Sequence, residues 1–221
     1  MAEATVLESS PLLGIVRFHD VGDVYGAVDA LFRGGIELVE VTIDTPGALA
    51  AVKHAADEGR AVGVGTVVST DQVRACATAG ARFVVSPGLI AEVIRDARKL
   101  GLEPVPGVFT ATEILTATAA GARVMKLFPA SCGGPSYLRA LRAPFPTTAL
   151  VPTGGVRLDE IAAYFEAGAT VVALGSELVG RSAPRTDDQL ESIASQAARA
   201  TEAARHAVLP TATLAEPRST T

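Results

Sequence analysis

The chain is poor in the residues that build metal centres and disulfide frameworks. It has no tryptophan, two cysteines and three histidines, and aromatic residues make up 5% of the sequence. Cys76 and Cys132 are few and far apart, so we expect reduced thiols and neither a disulfide framework nor a Cys-x-x-Cys metal site. His19, His54 and His206 show no HxH or HExxH spacing, and structural or surface roles are expected of them. We therefore predict no metal and no cofactor.

Positive charge is also scarce. The 19 Lys and Arg residues face 24 Asp and Glu, which gives a net charge of −5, whereas nucleic-acid-binding proteins usually carry a basic face. No run approaches the roughly 18 apolar residues that a membrane span needs, and the N-terminus lacks the basic start of a signal peptide. We predict a cytoplasmic protein with neither nucleic-acid nor membrane partners. A small anionic substrate stays possible, because it needs only a local positive site.

Apolar residues make up 48% of the chain, enough for one large, mainly aliphatic core. Short apolar runs recur roughly every 20–25 residues, each followed by a stretch of helical composition, which is the pattern of βα units. The eight runs are residues 14–18, 38–43, 61–66, 83–87, 104–108, 124–128, 150–154 and 171–176. They predict an α/β fold, a parallel (β/α)8 barrel in one domain. An open doubly wound sheet is the alternative, disfavoured because no glycine-rich dinucleotide fingerprint follows the first strand.

Helix boundaries are marked by capping residues. Ser69 and Thr110 precede helical runs, the second with the spacing of a capping box. Several helical stretches end on glycines expected to be left-handed, namely Gly34-Gly35, Gly80, Gly101, Gly121 and Gly168. We place the barrel domain at residues 1–210, with a short helix or arm at 1–10 and a closing helix at 189–208. Residues 211–221 are predicted to be a disordered tail.

Lys126 differs from the other two lysines. Lys53 and Lys99 lie among polar neighbours, whereas Lys126 lies inside the apolar run 124–128. A buried ammonium without a partner is costly, and buried lysines commonly become neutral amines able to form a Schiff base with a carbonyl substrate. The alternative is a strand-end lysine that reaches water or pairs with a carboxylate.

Charged residues also occur at or near the ends of other predicted strands, where βα barrels carry their chemistry. Glu40 lies in an apolar strand, and alternation places it on the side of Thr42, towards the barrel interior. It would be a structural ion-pair partner or a general acid and base beside a Schiff base. Arg17, on the first strand, would clamp a carboxylate or pair with Glu40 or Asp44.

Two glycine-bearing corners follow the seventh and eighth predicted strands. They are Gly154-Gly155 and Gly175-Ser176, at the location where βα barrels often bind phosphate with backbone amides and a helix N-terminus. The alternative is that the glycines only turn the chain.

These stretches together resemble the 2-keto-3-deoxy-6-phosphogluconate aldolase family, which includes the phosphogalactonate and 4-hydroxy-2-oxoglutarate aldolases. The matching stretches, spread over residues 12–205, are 35–42, 64–66, 85–88, 126–130, 152–155 and 174–176. The resemblance implies a class I aldolase without a cofactor, commonly a homotrimer. It implies cleavage of a small-molecule keto-acid phosphate to pyruvate and glyceraldehyde 3-phosphate, phosphogluconate being the expected substrate type.

The resemblance also implies roles for particular residues. Lys126 is implied as the Schiff-base lysine and Glu40 as the acid and base. The implied substrate-binding residues are Arg17, Thr66, Pro87, Phe128 and Thr153, and the implied phosphate-binding residues are Gly154, Gly155, Gly175 and Ser176.

One position departs from the family. The residue four after the base is typically an arginine that contacts substrate, and here it is Asp44, which would repel an anion. Arg17 would compensate, because the phosphogalactonate aldolases carry a first-strand arginine. Phosphogalactonate and 4-hydroxy-2-oxoglutarate specificity are therefore open alternatives. Two further alternatives are a phosphate-binding isomerase or synthase in which Lys126 is an electrostatic anchor, and a non-catalytic barrel that binds a sugar-acid phosphate.

Overall fold

The computed structural model of the protein describes residues 5–208, and the predicted tail at 211–221 lies outside them. The strands are β1 (Leu12–Val16), β2 (Leu38–Thr42), β3 (Ala61–Gly65), β4 (Phe83–Val85), β5 (Glu103–Val105), β6 (Gly107–Val108), β7 (Val124–Leu127), β8 (Ala149–Pro152) and β9 (Val172–Leu174). The α-helices are α1 (Val24–Arg33), α2 (Ala48–Asp57), α3 (Thr70–Thr78), α4 (Ala91–Lys99), α5 (Ala111–Ala120), α6 (Gly134–Arg142), α7 (Ile161–Glu166), α8 (Ser176–Val179) and α9 (Asp187–Val208). Short 3₁₀ helices occupy Leu7–Ser9, Ala130–Cys132 and Leu158–Glu160.

The strands form two parallel sheets, which confirms the predicted α/β class. One sheet has the order β5-β4-β3-β2-β1-β9 and the other β6-β7-β8, and every pairing is parallel. Aliphatic side chains from both sheets share one buried cluster, and Leu7 of the N-terminal 3₁₀ helix is fully buried in it. A second, larger cluster packs the strands against the helices. Among residues 5–208, no helix has the length and apolar character needed to cross a membrane.

The fifth predicted strand, 104–108, is wrong as a continuous element. It is split into β5 and β6 at Pro106, because proline has no N–H for a sheet ladder. The carbonyl oxygen of Pro106 instead accepts a hydrogen bond of 2.9 Å from the backbone N–H of Lys126. The residue at the break is therefore hydrogen-bonded to β7, the strand that carries Lys126.

Other strand ends also differ from the prediction by one or two residues. The chain leaves the ladder before several predicted site residues, which become the first residues of the following loops. Those residues are Arg17 after β1, Thr66 after β3, Phe128 after β7, Thr153 after β8 and Gly175 after β9. Leaving the ladder frees these residues from extended geometry, as Thr66 illustrates with its φ of 61°.

The predicted helix boundaries are largely confirmed. The helix-ending glycines at positions 35, 80, 101, 121 and 168 all have positive φ, whereas Gly34 has φ of −77° and caps α1 through its N–H. Ser69 forms a capping box with Gln72, and Thr110 forms one with Glu113. The closing helix α9 begins at Asp187, two residues before the predicted start.

The capping box of α5 gives a stability prediction. Thr110 Oγ1 accepts a 3.4 Å hydrogen bond from the N–H of Glu113 and donates one of 2.9 Å to Glu113 Oε2. We expect Thr110→Ala to lower the free energy of unfolding by about 1 kcal/mol, as measured by urea denaturation. Thr112→Ala is the matched control, because Thr112 is exposed on the same helix. Equal losses from both variants would contradict a capping role.

Candidate active site

A cavity of about 670 Å³ opens where the strands end. Ten of the predicted site residues line it, namely Arg17, Thr66, Pro87, Lys126, Phe128, Thr153, Gly154, Gly155, Gly175 and Ser176. Glu40 is fully buried and does not belong to the cavity wall. The strand ends thus bring the predicted residues to one site, with the acidic residue beneath its surface.

Lys126 is 6% exposed. Its Nζ lies 5.1 Å from the centroid of the Phe128 ring, within the range of a cation–π contact. Within residues 5–208, its Nζ makes no hydrogen bond and no ion pair within 4.0 Å of a carboxylate. The ion-paired alternative raised by the sequence is therefore wrong, and the amine faces the cavity with its donors unused.

Glu40 is the buried carboxyl group of the site. Neither of its oxygens has a hydrogen-bond partner among the described residues. Burial raises the pKa of Glu40, the charges of Lys126 and Arg17 act in the opposite direction, and Asp44 raises it further. A buried carboxyl group that holds its proton can donate it and later take one back.

Gly65 makes room for this carboxyl group. It lies on β3 beside β2, and a Cβ built there would overlap Glu40 Oε1 and lie 2.8 Å from its Cγ. The carboxyl group therefore packs against bare backbone, in space that any other residue at position 65 would fill.

Arg17 is part of the cavity wall and is hydrogen-bonded to another wall residue, Thr66. Its Nη2 donates a 2.6 Å hydrogen bond to Thr66 Oγ1, and within the described chain it forms no ion pair with a carboxylate. Of the two alternatives for Arg17, the ion pair with Glu40 or Asp44 is therefore wrong. Thr66 has φ of 61°, which is unusual for a β-branched residue and typical of functional sites. The remaining N–H groups of the Arg17 guanidinium make no hydrogen bond within the described residues. They lie beside the hydroxyl group of Thr66, a residue whose backbone has an uncommon conformation.

Asp44 is exposed and does not line the cavity. The loop that carries it is fixed by Thr45, whose Oγ1 lies 3.0 Å from Thr42 Oγ1 and accepts a 3.2 Å hydrogen bond from the N–H of Phe18. The predicted repulsion of bound substrate by Asp44 is therefore not a direct contact. Its charge acts on the site through Glu40, whose pKa it raises.

Gly154 and Gly155 form a turn with φ of 89° and 73°. A Cβ at Gly154 would lie 2.8 Å from the Phe128 ring, and one at Gly155 would lie 2.7 Å from Ser131 Oγ. The N–H groups of Gly154, Gly155 and Val156 donate no hydrogen bond within residues 5–208. Consecutive free amides of this kind suit an anion.

The helix N-terminus predicted after the second corner is present. α8 begins at Ser176, directly after Gly175, and has 4 residues, whereas α7, after the first corner, begins at Ile161. A short extra helix at this position is typical of phosphate-binding βα barrels. The candidate donors of this corner are the backbone amides and the Ser176 hydroxyl.

The sequence analysis missed three charged or polar residues of the cavity wall. His19, Glu177 and Arg181 all line it, although His19 was expected to have a structural or surface role. All three residues follow β1 or β9 closely in the sequence, and this position could have indicated them. For Glu177 and Arg181 the prediction would also have needed to make the helix after Gly175 a single turn.

One group of side chains outside the cavity has metal-ligand chemistry. Ligand atoms of Asp29, His54 and Glu58 lie within 4.8 Å of one another. Arg60 forms ion pairs with Asp29 and, at 2.8 Å, with Glu58. Arg60 thus already binds one oxygen of each carboxylate, and we assign the group no metal.

Comparisons with known proteins agree with the geometry. The family model described as KDPG and KHG aldolase matches residues 4–195. The 2-dehydro-3-deoxy-6-phosphogalactonate aldolase of Escherichia coli is 36% identical over 202 residues, 90% of this chain and 96% of the relative. The 2-dehydro-3-deoxy-phosphogluconate aldolase of Pseudomonas aeruginosa is 37% identical over 163 residues, 72% of this chain and 74% of the relative.

A solved structure of a KDPG aldolase from Legionella pneumophila holds pyruvate as a covalent carbinolamine intermediate. It is 28% identical to this chain with a TM-score of 0.74, and the match covers 91% of this chain and 96% of that one.

The raised pKa of Glu40 predicts a pH dependence of stability. A carboxyl group whose pKa is higher in the folded than in the unfolded state destabilises the fold as pH rises from the unfolded value through the folded one. The unfolding free energy of the wild type should therefore fall relative to Glu40→Gln over that interval, as measured by urea denaturation from about pH 4 to pH 9. Glu92→Gln, at an exposed position on α4, should show no such divergence. A constant difference between wild type and Glu40→Gln would contradict the prediction.

Proposed function

We propose that this chain, which belongs to the KDPG and KHG aldolase family, is a class I aldolase acting on a 2-keto-3-deoxy-6-phospho-aldonate. The products are pyruvate and glyceraldehyde 3-phosphate, with the phosphogluconate-type substrate as the first candidate. The observation that carries the proposal is the buried Lys126 amine, free of ion pairs among the described residues, on a cavity that also has an anion-binding corner.

The first stage attaches the substrate to Lys126. The Lys126 nitrogen attacks the C2 keto carbon, the C–N bond forms, and the carbonyl electron pair moves to oxygen. Transfer of a proton from nitrogen to that oxygen gives the carbinolamine. The protonated carboxyl group of Glu40 supplies a proton, directly or through a water molecule, and the hydroxyl group leaves as water. The result is an iminium on Lys126 and a carboxylate at Glu40.

The second stage cleaves the carbon chain. The Glu40 carboxylate takes the proton of the C4 hydroxyl group, the C3–C4 bond breaks, and its electron pair moves into the iminium to form an enamine. C4 leaves as the aldehyde carbon of glyceraldehyde 3-phosphate. Glu40 then returns a proton to C3, and water adds to the iminium. The resulting carbinolamine collapses to pyruvate and the free amine, and the proton released in this hydrolysis returns to Glu40.

The remaining predicted residues hold the two ends of the substrate. Arg17 and Thr66, joined at 2.6 Å, would bind the carboxylate near Lys126, where Pro87 and Phe128 enclose the pyruvate carbons. Thr153 would meet a substrate hydroxyl or carboxylate. The amides at Gly154, Gly155 and Gly175, with the Ser176 hydroxyl, would bind the distal phosphate.

We also propose that the two sheets form one closed (β/α)8 barrel. The support is the 2.9 Å hydrogen bond from Lys126 N–H to Pro106 and the 3.0 Å bond from Thr170 N–H to Leu150, which connect the two sheets where their edges meet. A homotrimer in the cytoplasm remains our proposal from the family resemblance.

A phosphogalactonate specificity is the second candidate. It is favoured by the Escherichia coli relative, whose match spans more of both chains than that of the phosphogluconate aldolase, and by Arg17 on the first strand. Pyruvate release from the two C4-epimeric substrates, and from 4-hydroxy-2-oxoglutarate, distinguishes the candidates.

Borohydride trapping tests the Schiff base. Reduction in the presence of pyruvate should leave a stable adduct on Lys126, located by peptide mass mapping, and none on Lys53 or Lys99, which are exposed and ion-paired at 3.0 and 3.1 Å. Lys126→Arg should give no adduct and lose turnover, because arginine keeps the charge but cannot form the imine. Substantial turnover in Lys126→Arg would instead favour the phosphate-binding isomerase or synthase alternative. Loss of activity with a chelator would also count against the proposal.

A single methyl group tests the placement of Glu40. Gly65→Ala should displace the Glu40 carboxyl group and lower the rate of pyruvate release by about a hundredfold, since small misplacements of reacting groups have effects of this size. Gly88→Ala is the control, because a Cβ at Gly88 would meet nothing within 4 Å. Comparable rates for Gly65→Ala and Gly88→Ala would refute the proposed role of this contact.

A further inference from the structure

We propose that Arg181 is a further substrate-binding residue, whose guanidinium binds the distal phosphate of the substrate, and that Gly180 positions it. This inference rests on the proposed function and names a specificity-determining residue of the same site.

Arg181 lies next to the glycine corners. Arg181 lines the same cavity as Gly154, Gly155 and Ser176. The N–H of Gly180 donates a 3.0 Å hydrogen bond to the carbonyl oxygen of Ser176, which closes the single turn of α8. This bond ties the backbone that carries Arg181 to the residue predicted to donate a hydroxyl to phosphate.

The guanidinium of Arg181 is unengaged. It is exposed, and within residues 5–208 it forms no ion pair and no hydrogen bond. Two nearby arginines differ: Arg157 is held by Asp159 at 3.0 Å and Arg185 by Asp20 at 3.2 Å. A planar guanidinium with all its donors free matches a phosphate group.

One acid, Glu177, lines the same cavity. Within residues 5–208 it forms no ion pair with Arg181. Its charge also acts on Arg157, whose pKa is raised first by Asp159, then by Glu160 and by Glu177. The Arg181 guanidinium is therefore left to supply positive charge to this part of the wall, where a phosphate dianion needs it.

Gly180 adopts a conformation that only glycine adopts readily. Its φ is 72° and its ψ is −159°, a region from which side-chain-bearing residues are nearly absent. A Cβ at this position would meet nothing within 4 Å, so glycine is required by the backbone angle and not by space. This angle ends α8 after one turn and brings Arg181 to the cavity wall.

Steady-state kinetics with a matched substrate pair test the inference. Arg181→Gln should raise KM for 2-keto-3-deoxy-6-phosphogluconate about tenfold or more, the loss expected for a charge-assisted hydrogen bond. Its kcat, and its kcat/KM for unphosphorylated 2-keto-3-deoxygluconate, should stay within about twofold, because Arg181 lies at the distal end. Arg181→Lys should show an intermediate KM. Arg95→Gln is the charge control, because Arg95 is exposed on α4 and forms no ion pair within residues 5–208.

Gly180→Ala separates positioning from folding. It should raise KM for the phosphorylated substrate alone, with Arg181 still present, because the changed backbone angle moves the guanidinium. Equal effects of Arg181→Gln on both substrates, or no effect, would overturn the inference. Absence of any effect would favour a guanidinium directed towards a second cavity, of about 430 Å³, which Arg181 also borders.

A binding measurement keeps the test independent of catalysis. Calorimetric titration with 3-phosphoglycerate, which cannot be cleaved, should show about tenfold weaker binding to Arg181→Gln than to wild type or Arg95→Gln. Equal affinities would refute the role of Arg181 whether or not the protein releases pyruvate. Failure of the proposed function would appear separately, as wild type without pyruvate release and without a borohydride adduct.

Discussion

The site depends on two ionisable side chains buried in an aliphatic interior without forming an ion pair. Lys126 and Glu40 are 6% and 0% exposed, and no ion pair within 4.0 Å joins them. A hydrogen-bonded pair would occupy the donors of Lys126 and the oxygens of Glu40. Without such a pair, burial outweighs the attraction of Lys126 and the pKa of Glu40 rises. Glu40 can then hold a proton for transfer, and Lys126 Nζ has no hydrogen-bonded partner among the described residues to release before it bonds to a carbonyl carbon.

Glycine occupies those positions of the site where a side chain would clash with a neighbour or where the backbone angle disfavours one. At Gly65 the missing Cβ admits the Glu40 carboxyl group, and at Gly154 it admits the Phe128 ring. At Gly180 the backbone angle alone demands glycine. The three glycines lie at the end of β3, just after β8 and at the end of α8. Replacing any of them would displace a neighbouring group of the site without removing it.

The sequence predicted those parts of the site that depend on strand patterning. A lysine and a glutamate inside apolar runs stand out because burial of charge is rare, and alternation placed Glu40 inward. The pattern could not predict where the chain leaves the ladder, because that depends on neighbouring strands and on features such as Pro106. It also missed Arg181, since the length of α8 is decided by one dihedral angle at Gly180. The position of Asp44 outside the cavity wall was not predictable, because residue spacing does not reveal exposure.

The cavity wall is rich in positively charged residues, although the net charge of the whole chain is negative. The chain carries a net charge of −5, yet Arg17, Lys126 and Arg181 line the cavity and Glu177 is the acid on its described wall. In the proposed binding mode, a substrate with a carboxylate at one end and a phosphate at the other would meet an arginine at each end and an amine between them. Exposed surface acids are screened over about 8–10 Å in physiological salt, whereas the residues of the cavity wall would contact the ligand directly. The overall negative charge of the chain is therefore compatible with an anionic substrate at this cavity.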